Sequence, residues 1–102
     1  MAKQRVVLHN KLVTALGSRY VYYQPPSNIS LNYPCIIYNK DTTNSVYGDG
    51  IKYLKNDRYS VTVIDKNPDS TIPDAVSDIE YSEYENCFVS DNLYHTVFTI
   101  YN

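Results

Sequence analysis

Apolar positions along the chain fall into two periods, one helical and one extended. Over residues 3–16, Leu8, Leu12, Ala15 and Leu16 recur on one face of a 3.6-residue helix, and Val6 and Val13 widen the arc. Gly17 follows where a left-handed helix cap is wanted. Tyr20–Gln24 is a short extended segment closed by Pro25 and Pro26, which cannot continue a ladder. Residues 25–34 form a polar loop, with Ile29 and Leu31 as its expected anchors. From Cys35 the run CIIYNKDTTNSVY reads as a strand whose apolar density fades after Tyr38. Gly48-Asp49-Gly50 then marks a turn suited to a hairpin tip.

The clearest alternation is Asp57–Asp65. Tyr59, Val61 and Val63 share one face, and Ser60, Thr62 and Ile64 the other. Residues 51–56 either extend this strand or remain loop. Asn67-Pro68-Asp69-Ser70 turns into a short helix that Ser70 or Thr71 can cap, with Pro73 in its first turn and Asp74 at the positive end of its dipole. Ile72, Ala75, Val76 and Ile79 share a face, so this helix packs on something. The last segments, Tyr84–Val89 and Leu93–Tyr101, form a hairpin across Ser90-Asp91-Asn92. In its second strand Tyr94, Thr96, Phe98 and Ile100 point one way, and Val97 and Tyr101 the other. The order α-β-β-β-α-β-β predicts one α+β domain over residues 1–102. Its sheet is mostly antiparallel, with the two helices packed on one face.

Length agrees with this, since 102 residues suffice for one core. Composition adds one anomaly: the chain has 12 Tyr against 2 Phe and no Trp. Tyrosine joins an apolar ring to a polar tip, so it serves both half-buried sheet faces and contact surfaces. Net charge is −2, with 9 basic residues among 11 acidic ones and no basic run, which argues against tight binding to nucleic acid. The N-terminal stretch, interrupted by His9, Asn10 and Lys11, does not read as a secretory signal. No apolar run approaches the ~20 residues that cross a bilayer. Cys35 and Cys87 are therefore read as reduced and packed, and the sequon at Asn28-Ile29-Ser30 as a chance match.

Chemistry-bearing motifs fail one by one. There is no GxxxxGK[ST], GxGxxG or HExxH. His9 and His95 stand alone and read as surface or half-buried residues, and no signature supports a Cys–His nucleophile. Asp65-Lys66-Asn67-Pro68-Asp69 imitates the start of a calcium loop. However, Ser70 replaces the required glycine and Val76 the required glutamate, so a strand-to-helix turn explains it better. Asp74, Asp78, Glu80, Glu83 and Glu85 read as a solvated face and the loop after it. The expectation is a protein that is no enzyme and holds neither cofactor nor metal.

The segments YPCIIY (33–38), Tyr47 with Gly48-Asp49, RYSVTVIDKNPDSTIPDAV (58–76) and DNLYHTVFTIYN (91–102) resemble the tail terminator, or tail-completion, proteins of long-tailed bacteriophages. The similarity covers about residues 6–102, and the N-terminal helix shares only its pattern. It implies a non-enzymatic α+β virion protein at the head-proximal end of the tail, present in the host cytoplasm during assembly. Six copies usually cap the tube as a ring, end its polymerisation and help to join the head. Its implied partners are further copies of itself, the major tail tube protein and a head connector or stopper protein. DNA would pass through the lumen without tight binding, and no membrane is involved. A ring demands head-to-tail contacts that close by rotation. The candidate contact residues are Tyr47, Asp49, Tyr53, Tyr81 and Tyr84, in segments that the core does not require. Alternatives are another head–tail connector, an adaptor or stopper, and, from other classes, a small intracellular nucleic-acid-binding module or a hydrolase.

Overall fold

A computed structural model of the chain describes residues 5–43 and 57–102. The expected element order holds: α1 (Arg5–Leu16), β1 (Val21–Tyr23), β2 (Cys35–Thr43), β3 (Asp57–Asp65), α2 (Ile72–Ser77), β4 (Ser82–Ser90) and β5 (Leu93–Tyr101). The expected turn at Gly48-Asp49-Gly50 lies outside the described residues, as do residues 51–56.

Each boundary has a local cause. Gly17 ends α1 at φ +80°, with its N–H donating to the Val13 carbonyl at 2.8 Å. Between β3 and α2 the polar run makes two side-chain turns. Asp65 Oδ1 accepts from the Asn67 N–H (3.1 Å), and Asn67 Oδ1 accepts from the Asp69 N–H (2.9 Å). Ser70 Oγ then accepts from the Ile72 N–H at 3.2 Å, while Thr71 makes no side-chain cap. The carboxylate and amides that imitate a calcium loop thus have a structural use. Asp91 and Asn92 both take positive φ, 54° and 62°, which makes the two-residue β4–β5 turn match the twist of its strands.

The five strands form one mixed sheet in the order β1-β2-β3-β5-β4. β1 runs parallel to β2, and the other three pairings are antiparallel. Registers Tyr38↔Val61 and Val61↔Phe98, followed by Tyr59↔Ile100, align one apolar row after another on a single face. Leu8, Leu12 and Leu16 of α1 and Val76 of α2 bury against that face, in one cluster with Ile36, Tyr38, Tyr59, Val61, Val63, Phe98 and Ile100. The two helices also pack on each other, so both cover the same side, as the periodicity predicts. Among the described residues the opposite face is mostly half-buried, with the directly paired Cys35 and Ile64 as its buried exceptions.

Three local expectations need correction. Val6 does not widen the buried arc of α1 but is exposed, and Ile29 is exposed while Leu31 is half-buried. Cys87 is free but not packed: it stands exposed on β4, whereas Cys35 is buried. In each case the residue type permits burial, but among the described residues the position is left uncovered or only partly covered.

Candidate assembly surface

β4 is the last strand of the sheet, and among the described residues its outer edge pairs with no other strand. The chain enters β4 through Tyr81, held at φ 65° with its carbonyl accepting from the Tyr101 N–H at 3.2 Å. β4 then pairs with β5 along its whole length, with a register shift between Tyr84 and Asn86 that leaves Glu85 as the extra residue. The Glu85 carboxylate accepts from the Thr99 hydroxyl at 2.8 Å, which holds the bulge against β5.

Apart from the half-buried Ser82, every residue of this strand is exposed. Tyr84 is 59% exposed, and its ring meets Phe98 edge-on at 6.0 Å, on the rim of the core. Val89 is 61% exposed and sits opposite the exposed Tyr94. Phe88 lies on the other face, stacked on His95 at 4.8 Å. The strand therefore carries large apolar side chains on both faces beside an open backbone edge. Glu83, Glu85 and the bulge give this edge part of the protection that monomeric sheets use, but they leave Tyr84, Phe88 and Val89 exposed beside it.

The sequence-predicted contact residues divide. Tyr81 and Tyr84 lie on this surface. Tyr47, Asp49 and Tyr53 lie outside the described residues, but Thr43 and Asp57, which flank their segment, are at the same end of the sheet as Tyr81, three and two strands away from β4. Phe88, Val89 and Tyr94 were not anticipated. Their signal was the loss of alternation after Tyr84, where Cys87, Phe88 and Val89 stand consecutively.

The fold also segregates charge that looks mixed in the total. Residues 1–40 contain Lys3, Arg5, Lys11, Arg19 and Lys40 and no Asp or Glu. Residues 67–102 contain Asp69, Asp74, Asp78, Glu80, Glu83, Glu85 and Asp91 and no Lys or Arg. Of the described residues, Arg5, Lys11, Arg19 and Lys40 lie in or beside α1, β1 and β2 at one sheet edge, where Asp41 of β2 is the one carboxylate in these elements, and the second group lies in or beside α2, β4 and β5 at the other. The two sets meet in a shallow groove of about 620 Å³ between the helices, lined by Lys11, Ala15, Ala75, Asp78, Ile79 and Glu80.

The histidines and cysteines do not converge. Register places Cys87 opposite Thr96 and Phe88 opposite His95, so Cys87 and His95 point to opposite faces. Cys35 shares a face with His95 but lies two strands away, on the order of 10 Å. Burial, aided by the Asp65 charge, pushes the Cys35 thiol up to about 11. A maleimide is therefore expected to label one thiol per native chain, Cys87, and to reach Cys35 only after unfolding. Mass spectrometry of the labelled peptides checks this.

His9 has a structural partner. Arg5 Nη1 donates to the buried Tyr38 oxygen at 2.7 Å, leaving the Tyr38 hydroxyl proton for His9 Nδ1, also at 2.7 Å. The Arg5 guanidinium also lies 4.3 Å from the centre of the Tyr23 ring. A protonated His9 would leave that hydroxyl proton without an acceptor. Burial first, and the Arg5 charge second, lower the His9 pKa below its ordinary value of 6.5. The unfolded chain then binds the proton more readily. Stability is fully present above pH ~6.5 and falls as pH drops through the lower folded value. Denaturant unfolding at pH 7.5 and 5.5 should show this loss, and His9→Gln should remove it.

The chain matches no family model, no curated protein and no solved structure.

Proposed function

We propose that this chain is a virion structural protein that caps a bacteriophage tail tube. Copies of it form a ring, end tube polymerisation and present part of the surface that joins the head. The reading is carried by the β4 edge, a nine-residue strand whose outer side pairs with no other strand among the described residues and which exposes Tyr84, Phe88 and Val89. Exposed apolar area of this kind is characteristic of a surface that another protein covers. The sequence resemblance supplies the identity of the assembly, and the α+β fold is compatible with it.

The partners that follow are further copies of this chain, the tail tube protein below and a head connector or stopper protein above. DNA would cross the lumen, where weak contacts suffice. Electron microscopy of purified tails mixed with gold-labelled chain tests the reading. Label confined to the head-proximal end is the expected result. Label along the tube, or none on tails that lack their own copy, would refute it.

A further inference from the structure

We infer that copies of this chain associate head to tail, the acidic β4 edge of one copy seating on the basic α1–β1 edge of the next. The inference rests on the assembly reading above and specifies which surfaces meet. Three observations converge on a second copy as the occupant.

Among the described residues the exposed large hydrophobics form two groups. Tyr81, Tyr84, Phe88, Val89 and Tyr94 belong to β4, its entry and its hairpin partner, while Val6, Val7 and Ile29 belong to α1 and the loop leaving β1. Sheet order puts β4 and β1 at opposite edges, and α1 packs over β1 and β2. Among the described residues of α1, β1 and β4, each edge also carries one sign of charge. Arg5 and Arg19 are exposed on the α1–β1 side, where residues 1–40 offer no carboxylate, and Glu83, Glu85 and Asp91 are exposed on the β4 side, where residues 67–102 offer no Lys or Arg.

Two copies meeting through the same edge would oppose like charges, which is unfavourable. Two copies meeting through different edges bring opposite charges and two apolar groups together. Such a contact leaves a free edge at each end, so it propagates until rotation closes it. A nucleic acid would match only the basic edge and leave the apolar β4 surface uncovered.

The test uses two full-length variants, Arg19→Glu and the double variant Glu83→Lys with Glu85→Lys, in sedimentation equilibrium up to ~1 mM chain. Glu83→Gln with Glu85→Gln stands in if the double variant fails to unfold cooperatively. Wild type should associate at ~0.02 M salt and at least about tenfold more weakly at ~0.5 M, where screening shortens the reach of charge to a few ångströms. Each variant alone should associate about tenfold more weakly than wild type.

Mixing Arg19→Glu with the double lysine variant should restore association, because each contact in an alternating chain then pairs opposite signs. A wild-type chain that stays monomeric at low salt overturns the proposal, as does association of each variant at wild-type strength. A mixture no stronger than its components overturns it too. If head-to-tail association holds while the chain ignores tail ends, the contact stands and the tail-capping reading falls. If it caps tails while these substitutions are harmless, the reverse follows.

Discussion

Replacing Phe98 with Ala should destabilise the domain by about 3–5 kcal/mol, a large share of the ~5–15 kcal/mol available to a protein of this size. Phe98 is fully buried in the middle of β5, between Val61 on β3 and Tyr84 on β4. It belongs to the same buried cluster as Leu8, Leu12 and Val76 of the two helices. Truncation removes buried apolar area and leaves a cavity that strands paired on both sides cannot collapse to fill. It also removes the surface on which the Tyr84 ring rests edge-on. Urea unfolding should show a much lower midpoint for Phe98→Ala and a smaller drop for Phe98→Leu, which keeps more of the volume. Equal effects of the two would mean that the side chain's volume is not what matters there.

The second large effect is expected in assembly. Tyr84→Thr combined with Val89→Thr places β-branched threonine, a good strand former, at both positions and removes two side chains that are mostly exposed. Monomer stability should change little, since surface substitutions usually fall within ~0.5 kcal/mol, with somewhat more at Tyr84 for its contact with Phe98. If the β4 edge is an interface, the same change removes buried apolar area from every subunit contact. That loss is on the order of 3 kcal/mol, about a hundredfold in affinity. The informative result is this separation, with unfolding nearly unchanged and tail-end binding lost. Unchanged binding would remove β4 from the contact.

Much of the fold was legible because its patterns are local. β3 spans Asp57–Asp65 as expected, since Tyr59, Val61 and Val63 alternate with Arg58, Ser60 and Thr62 in a central strand, and only Ile64 breaks the polar side. α1 was legible from Leu8, Leu12 and Leu16, although Val6 was misplaced because hydrophobicity alone does not reveal where a neighbouring element ends. Sheet order was not legible. The insertion of β5 between β3 and β4, and the parallel seat of β1, depend on long-range pairings such as Val61↔Phe98 and Val21↔Ile36.

β4 was the least regular strand to read, for a physical reason. The bulge at Glu85 shifts its parity, and neither face is buried, so no alternation was imposed on it. That irregularity is itself the mark of a strand whose apolar residues are left exposed among the described residues. The exposure of Cys87 follows from the same cause. The charge division was present in the sequence throughout, but the net value of −2 conceals it. It acquires meaning only when the sheet order assigns residues 5–40 and 67–102 to opposite edges.

The most direct test of the central claim is the distribution of tail lengths in particles assembled without this chain. Electron micrographs should show tubes that overrun the normal length and remain unattached to filled heads, with both defects corrected by supplying the wild-type chain. Tails of normal, uniform length joined to heads in its absence would contradict the account.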